Sequence, residues 1–405
     1  MTLHLAVALD GTGWHPAAWR EQRARPDELF TARYWADLVA EAESGLLDYV
    51  TIEDALALQS PSPTSHDDRT DQVRGRLDAV LIASRVAPLT RHIGLVPTAT
   101  VSHTEPFHVS KAIATLDHVS SGRAGWRAQV SPPLANAHFG RRAPIAFTEL
   151  PGSTPGRPLL RPDDFADAFA EAEDFVTAAR LLWDSWEDDA EIRDAATERF
   201  VDRDKLHYID FHGRWFSVRG PSIVPRPPQG QPVVAVLAHA TVPYRLGAAS
   251  ADLVHVTPRD ADDARAIVAE VRDLQRAAGR EDETVHIIGD VVVLLGATTA
   301  EAEDRRARLD GRSDVAFESD APVFTGTAAE LAELLLALAE TGLTGFRLRP
   351  AVLPDDLEAI TRDLVPELRR RGAFRDAYAA DTLRGLLGLP RPANRFATTT
   401  EGAAR

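Results

Sequence analysis

The ends of the short apolar runs in this sequence hold the residues with which the chain could do chemistry. In chain order they are Asp10, His15, Glu53, Asp54, Thr98, Thr100, His103, Arg127, Gln129, Ser131, Ala238, His239 and Thr257. If the runs are parallel strands of one sheet, these residues meet at its carboxyl edge, where such folds keep their binding and catalytic groups. Their convergence predicts a functional site at that edge.

Each of these residues also has a structural explanation. Asp54 can cap a helix or accept hydrogen bonds from backbone amides, and Arg127 can belong to an ion pair. His239 can be an imidazole whose nitrogens are satisfied within the fold. For any one residue the structural explanation is the commoner one, so only the convergence of several favours a site.

Missing residues and motifs exclude several kinds of chemistry. The chain has no cysteine, which excludes disulfides, thiolate nucleophiles and iron–sulfur clusters. It has no glycine-rich dinucleotide fingerprint, P-loop, zinc-protease helix motif or nucleophile elbow. Because His15, His103, His138 and His239 show no recognisable metal-ligand spacing, no metal site is predicted.

Alternating strands and helices must position these residues. Eight apolar runs read as strands, at 3–9, 47–52, 93–96, 125–130, 233–237, 253–256, 285–295 and 346–348. Helices are expected at 27–42, with Asp27 as its cap, and at 77–86, 105–119, 260–279, 299–309 and 327–341. Eight strand–helix units favour a closed (β/α)8 barrel over an open, doubly wound sheet.

Two segments exceed a minimal barrel. The insertion at about 131–232 lies between strands four and five, with a helix at 164–183 and a hairpin of 208–211 and 215–218 turning at 212–213. A helical extension covers about 354–396. We therefore expect one barrel domain over 1–396 and a disordered tail at 397–405.

Composition limits the partners. The net charge of −16 repels phosphate backbones, so nucleic acid is an unfavourable partner. We find neither an apolar run long enough for a membrane helix nor a signal peptide, which predicts a cytoplasmic protein with no membrane partner.

The stretch LDHVSSGRAGWR at 116–127 closely resembles a motif of luciferase-like monooxygenases in the nitrilotriacetate and dibenzothiophene-sulfone monooxygenase group. Further resemblance runs along the chain, at 13–20, 93–107, 181–190, 205–221 and 366–389. It implies a (β/α)8 barrel that forms a homodimer or homotetramer and binds FMN at its carboxyl face. An oxidoreductase of this kind takes reduced FMN from a separate NAD(P)H-dependent flavin reductase. It reacts the flavin with O2 to a C4a-peroxyflavin and oxygenates a small organic substrate.

Residue by residue, the resemblance gives the cofactor site as Asp54, Thr100, Arg127, Ser131, Ala238 and His239. Asp54, Thr100 and Ser131 match the family. Arg127, however, replaces an asparagine and cannot accept a hydrogen bond. Ala168-Phe169 replaces an Arg-Tyr pair, and residues 236–239 replace the phosphate loop Ala-Gly-Ser-Ser, where His239 and Arg245 could compensate. His15, His103 and His138 are candidates for the catalytic pocket.

These departures leave alternatives open. FMN binding could be weakened or rearranged, or another cofactor or flavin pose could be used. A flavin-free structural or regulatory subunit would have its barrel mouth plugged by side chains such as Leu237 and Phe169, whereas an enzyme would keep an open cavity there. A hydrolytic barrel using Glu53 and Asp54 would need a second facing carboxylate, which the sequence does not clearly offer.

Overall fold

The computed structural model describes residues 2–59, 68–131, 135, 138, 162–313 and 317–397. Its strands are β1 (His4–Leu9), β2 (Tyr49–Ile52), β3 (Gly94–Thr100), β4 (Gly125–Gln129), β5 (Glu191–Asp194), β6 (Arg199–Val201), β7 (Phe211–His212), β8 (Ser217–Val218), β9 (Val233–Ala238), β10 (Leu253–Val256), β11 (His286–Leu295), β12 (Val323–Gly326) and β13 (Gly345–Pro350). Its helices are α1 (Ala32–Ser44), α2 (Ala79–Val86), α3 (Pro106–Val119), α4 (Pro162–Asp184), α5 (Thr241–Ser250), α6 (Ala261–Ala277), α7 (Thr299–Asp310), α8 (Ala328–Ala339), α9 (Asp355–Ala359), α10 (Val365–Arg370) and α11 (Leu383–Leu386).

Parallel strands close into a barrel within this part of the chain. The order β10-β9-β4-β3-β2-β1-β13-β11 is joined end to end by the pairing of β10 with β11, and β12 adds to β11 outside the ring. The eight strands of the ring follow the eight apolar runs, and helices α1 to α3 and α5 to α8 cover them. The prediction of a (β/α)8 barrel is confirmed, and the open sheet is excluded.

The first helix and the insertion differ from expectation. Helix α1 begins at Ala32 with Thr31 as its cap, because the Thr31 side chain accepts from the Tyr34 amide. Asp27 lies instead in a separate 3-10 turn over Pro26–Glu28. The expected hairpin is only the pair β7–β8, since Asp210 has a positive φ that interrupts the extended backbone before Phe211.

The C-terminal extension closes the amino end of the barrel. Leu383, Leu387 and Leu389 pack into one buried cluster with side chains of the barrel interior. The first part of the expected helical extension is helix α9 and helix α10, separated by a π-turn over Ile360–Leu364. Of the tail expected to be disordered, all residues after Ala397 lie outside the described part. No helix among the described residues is long and apolar enough to cross a bilayer.

Candidate functional site

Charged side chains fill the barrel interior below its carboxyl mouth. Arg347 and Arg349 point inward from β13, because alternate residues of a strand share a face, and Asp290 meets both from β11. Six residues contact one another in this way, and we call them the barrel ion network: Glu53, Arg127, Asp290, Asp320, Arg347 and Arg349.

The network is continuous from one wall of the barrel to the other. Arg127 donates to Glu53 and, from Nε, to Thr98 Oγ1 at 2.9 Å. Arg347 Nη1 lies 3.3 Å from Glu53 Oε1, while its other nitrogens bind Asp290. Each guanidinium therefore reaches at least one carboxylate.

Burial and charge set the protonation states in the network. Burial alone would raise the pKa of Asp290, but Arg347 and Arg349 outweigh it and hold that pKa well below its ordinary value. Burial lowers the pKa of Arg127, and the charge of Glu53 opposes this shift. The guanidinium nevertheless stays charged, as guanidinium groups do in proteins. By formal charge, the network thus pairs three basic with three acidic side chains.

The two hydroxyl residues of the predicted cofactor site are brought together. Thr100 at the end of β3 donates to the Gln129 carbonyl at 3.1 Å, so Ser131 donates its own hydroxyl proton to Thr100. The Ser131 amide binds Ser102 Oγ at 2.9 Å, which fixes the chain after β4. This buried pair leaves oxygen lone pairs that can still accept hydrogen bonds.

Both carboxylate oxygens of Asp54 accept hydrogen bonds from nearby backbone amides. Its carboxylate accepts from the Ala55 amide at 2.7 Å and from the Ala79 amide, the first residue of α2, at 2.9 Å. Burial, the largest influence, raises the pKa of Asp54 despite these two bonds. The capping alternative describes these contacts, and a cofactor contact of Asp54 stays a prediction.

The three candidate catalytic histidines have different surroundings. His15 is buried: Nδ1 accepts from the Ala17 amide at 3.1 Å, so Nε2 carries the proton and donates to Asp310 at 3.0 Å. His103 is half-buried with a positive φ, and His138 is exposed amid residues that are mostly undescribed. Their catalytic roles stay predictions.

His239 stands at the mouth itself. Ala238 ends β9 as a buried residue, and the next side chain, His239, contacts Thr257 Oγ1 through Nδ1 at 2.9 Å. Its Nε2 lies 3.4 Å from Asp320 Oδ2. Burial lowers the pKa of His239, which Asp320 opposes, so the imidazole is neutral near pH 7. It thereby joins the edge of the barrel ion network.

The start of α5 is open to an anion. Its cap, Ala240, makes no side-chain hydrogen bond to the helix, and Pro243 lacks an amide proton. The amides of Thr241 and Val242 therefore point from the positive end of the helix, and exposed Arg245 follows one turn later. This start lies directly after His239 and Ala240.

The two side chains named as a plug are both partly buried. Leu237 is half-buried in β9, and Phe169 on α4 packs against Phe165 with ring centroids 4.8 Å apart. Most residues of 132–161, which follow β4, lie outside the described ranges. Within those ranges, no three His, Asp or Glu side chains gather as metal ligands.

Comparison with known proteins decides the family. The family model described as luciferase-like monooxygenase matches residues 12–345. The chain belongs to the luciferase-like monooxygenase family. It is 29% identical to nitrilotriacetate monooxygenase component A of Aminobacter aminovorans, over 98% of each chain. It is 27% identical to the dibenzothiophene-sulfone monooxygenase of Rhodococcus erythropolis, over 93% of each chain.

A solved structure agrees with the barrel of this luciferase-like monooxygenase. A riboflavin lyase with modified FMN and riboflavin superimposes with a TM-score of 0.81, at 22% identity and 96% coverage of both chains. At that identity the likeness shows the fold. The predicted family, and with it an oxidoreductase of the monooxygenase class, is confirmed by the family match.

The motif that revealed this luciferase-like monooxygenase is structural. Asp117 accepts from the Ala124 amide at 3.1 Å and from the amide and side chain of Gln229 at 3.1 and 2.6 Å. Gly122 has a φ of +89°, and a Cβ there would lie 2.9 Å from Thr382. The motif thus fixes the entry of β4, whose third residue is Arg127.

Sequence reasoning missed four members of the barrel ion network, Asp290, Asp320, Arg347 and Arg349. A signal existed for three of them. Asp290 interrupts the apolar run of β11, while Arg347 and Arg349 alternate with apolar residues in β13, the spacing of side chains on one face. Charges inside a buried strand require partners, which marks the barrel interior as their place. Asp320 gave no such signal, because it lies in a loop.

Proposed function

We propose that this luciferase-like monooxygenase is the oxygenating component of a two-component system that uses reduced FMN. A separate NAD(P)H-dependent flavin reductase supplies the reduced flavin, and O2 and a small organic substrate are the other reactants. The name component A of a relative identical at 29% of positions supports a partner of this kind. A homodimer or homotetramer remains the expected assembly.

The open start of α5 carries the proposal. Two backbone amides, the positive end of a helix and the Arg245 guanidinium together suit the dianionic phosphate of FMN. They replace the glycine and serines that are missing from residues 236–239, because backbone amides donate whatever the side chain. The residues present therefore fit the phosphate.

The barrel mouth supplies what the flavin ring needs. The Thr100–Ser131 pair offers buried oxygen acceptors for a ring N–H, and the barrel ion network gives a floor whose formal charges balance. Bound reduced FMN would supply the electrons that activate O2 for insertion of one oxygen atom. The chain's own residues would bind and orient the reactants and exclude water.

Comparing FMN with riboflavin tests the phosphate contacts. Purified protein is titrated anaerobically with each reduced flavin, followed by absorbance and fluorescence. FMN should bind about tenfold or more tightly than riboflavin, because charge-assisted hydrogen bonds to the phosphate each contribute about 1.5–3 kcal/mol.

Arg245→Ala locates the effect. This variant should weaken reduced FMN about tenfold and leave riboflavin unchanged, since only FMN carries the phosphate. Arg259→Ala is the matched control, an exposed arginine shortly before α6 that pairs with Asp263 at 3.3 Å. Equal affinities for both flavins would contradict the placement of the phosphate at α5.

A further inference from the structure

We propose that Asp320, His239 and Thr257 form a proton relay that delivers a proton from His239, through the Thr257 hydroxyl, to a ligand bound at the barrel mouth. The inference rests on the proposed function, because it assigns these three residues to the proton transfers of that oxygenation. None of them gains this role from the family motif, since His239 stands where the family has a serine.

Strand pairing brings the relay together. β9 and β10 are parallel, with Ala238 opposite Val256, so the next residues, His239 and Thr257, leave the two strand ends side by side. Their polar atoms lie 2.9 Å apart. Thr257 is half-buried, and the imidazole is 43% exposed, which leaves it open to water that can return a proton.

Asp320 is held in place from below. Arg349 donates to both carboxylate oxygens of Asp320 at 2.6 and 3.1 Å, and the Arg349 side chain is 3% exposed. Burial would raise the pKa of Asp320, but Arg349 outweighs it and lowers that pKa. Asp320 is therefore ionised and can only accept a proton or a hydrogen bond.

The ionised carboxylate decides which nitrogen of His239 carries the proton. A neutral imidazole has one N–H, and Nε2 faces Asp320 at 3.4 Å, so the proton sits on Nε2. Nδ1 is then an acceptor and takes the Thr257 hydroxyl proton as its hydrogen bond at 2.9 Å. The resting relay thus points from Thr257 toward His239.

A second proton reverses this direction. Protonated His239 must donate from Nδ1 to Thr257 Oγ1, which frees the threonine O–H to turn toward a ligand. As the ligand takes that proton, Thr257 takes the Nδ1 proton and His239 returns to its neutral form. The two hops transfer one net proton from His239 to the ligand, no electrons move, and no further reactant is needed.

Among the protein's own groups, the surrounding charges favour release of the proton. Thr257, just after β10, and Asp320, in the loop before β12, lie next to the imidazole. Arg347 and Arg349 in β13 and Asp290 in β11 act on it through their charges. Burial and the two arginines lower the pKa of His239, while the carboxylates raise it, and the lowering effects prevail. A histidine with this balance gives up an extra proton readily.

Histidine NMR tests the relay without turnover. In protein labelled at histidine nitrogen and carbon, the resonance that His239→Gln removes is assigned to His239. We expect the Nε2–H tautomer at high pH. Asp320→Asn should lower the pKa of His239, because the variant removes the carboxylate that raises it. An Nδ1–H tautomer, or a titration that Asp320→Asn leaves unchanged, would overturn the relay.

A kinetic readout tests the threonine. Protein loaded with reduced FMN is mixed with O2, and release of H2O2, the product formed without substrate, is followed against pH. Thr257→Val should slow release about tenfold or more and flatten its pH dependence, because the hydroxyl that transfers the proton is gone. Thr257→Ser should restore both.

Controls separate the relay from the flavin site. His212→Gln is the matched control, since this exposed histidine also contacts a hydroxyl, Ser217 Oγ at 3.2 Å. Reduced FMN affinity is measured for every variant. If Thr257→Val binds reduced FMN normally and releases H2O2 like the unmodified protein, the relay is wrong. If the unmodified protein does not bind reduced FMN, the proposed function fails and the relay fails with it.

Discussion

At the scale of single residues, Arg127 shows how one substitution depends on distant partners. At the position where the family motif has an asparagine, this chain has Arg127, whose side chain is 3% exposed and paired with Glu53. The sequence left an ion pair open as an explanation, but it could not name the partner, because 74 positions separate the two residues. Pairing across a barrel follows from strand order and register, which cannot be read directly from the sequence.

Arg127→Ala should therefore destabilise the fold. Glu53 would lose one of its two arginines inside the barrel, and breaking a buried ion pair costs about 3 kcal/mol. Urea unfolding measures the loss, and Glu53→Gln combined with Arg127→Ala should recover part of it in a double-mutant cycle. An unchanged unfolding midpoint for Arg127→Ala would mean that the pair contributes nothing.

At the scale of elements, polar side chains that grip backbone amides fix where strands and helices begin. Thr31 rather than Asp27 starts α1, and Asp54 holds the first amide of α2. Asp117 joins the turn before β4 to Gln229, more than a hundred positions later. Periodicity predicted these helices to within a few residues. It could not identify the capping residue, because that depends on which of several nearby polar residues has the backbone angles of a cap.

Asp117→Ala should be costly, whereas Asp27→Ala should not. The first removes a buried acceptor of three hydrogen bonds, and unsatisfied buried donors cost about 1–3 kcal/mol each. Asp27 is exposed in a separate turn, so its loss should change the free energy of unfolding by less than about 0.5 kcal/mol. Equal effects of the two variants in urea unfolding would show that the motif does not hold β4 in this way.

At the scale of the molecule, one carboxylate ties three parts of the chain together. Asp252, just before β10, binds Arg180 of the insertion helix at 2.8 Å and Arg384 of the C-terminal extension at 3.2 Å. The eight strands and the extent of both additions were predicted from apolar runs and lengths. Their attachment was not, because long-range ion pairs leave no periodic pattern.

Stability should fall in acid through Asp252. Burial would raise the pKa of this carboxyl, but Arg180 and Arg384 outweigh it and hold the pKa well below the ordinary value of 3.8. A carboxyl with a depressed folded pKa stabilises the fold above its unfolded pKa and loses that contribution as pH falls below it. Asp252→Asn should be less stable at pH 7 and lose less on acidification. Urea unfolding of the two proteins at pH 7 and at acidic pH checks this. Equal losses of stability on acidification would contradict it.

The central claim is that this barrel binds reduced FMN at its mouth, and anaerobic titration of the unmodified protein tests it most directly. We expect micromolar or tighter binding, stronger for reduced than for oxidised FMN, because the proposed two-component system would use the flavin in its reduced form. No binding of either form at high micromolar FMN would contradict it. That result would show that Arg127, Phe169 and residues 236–239 have replaced the flavin site rather than rebuilt it.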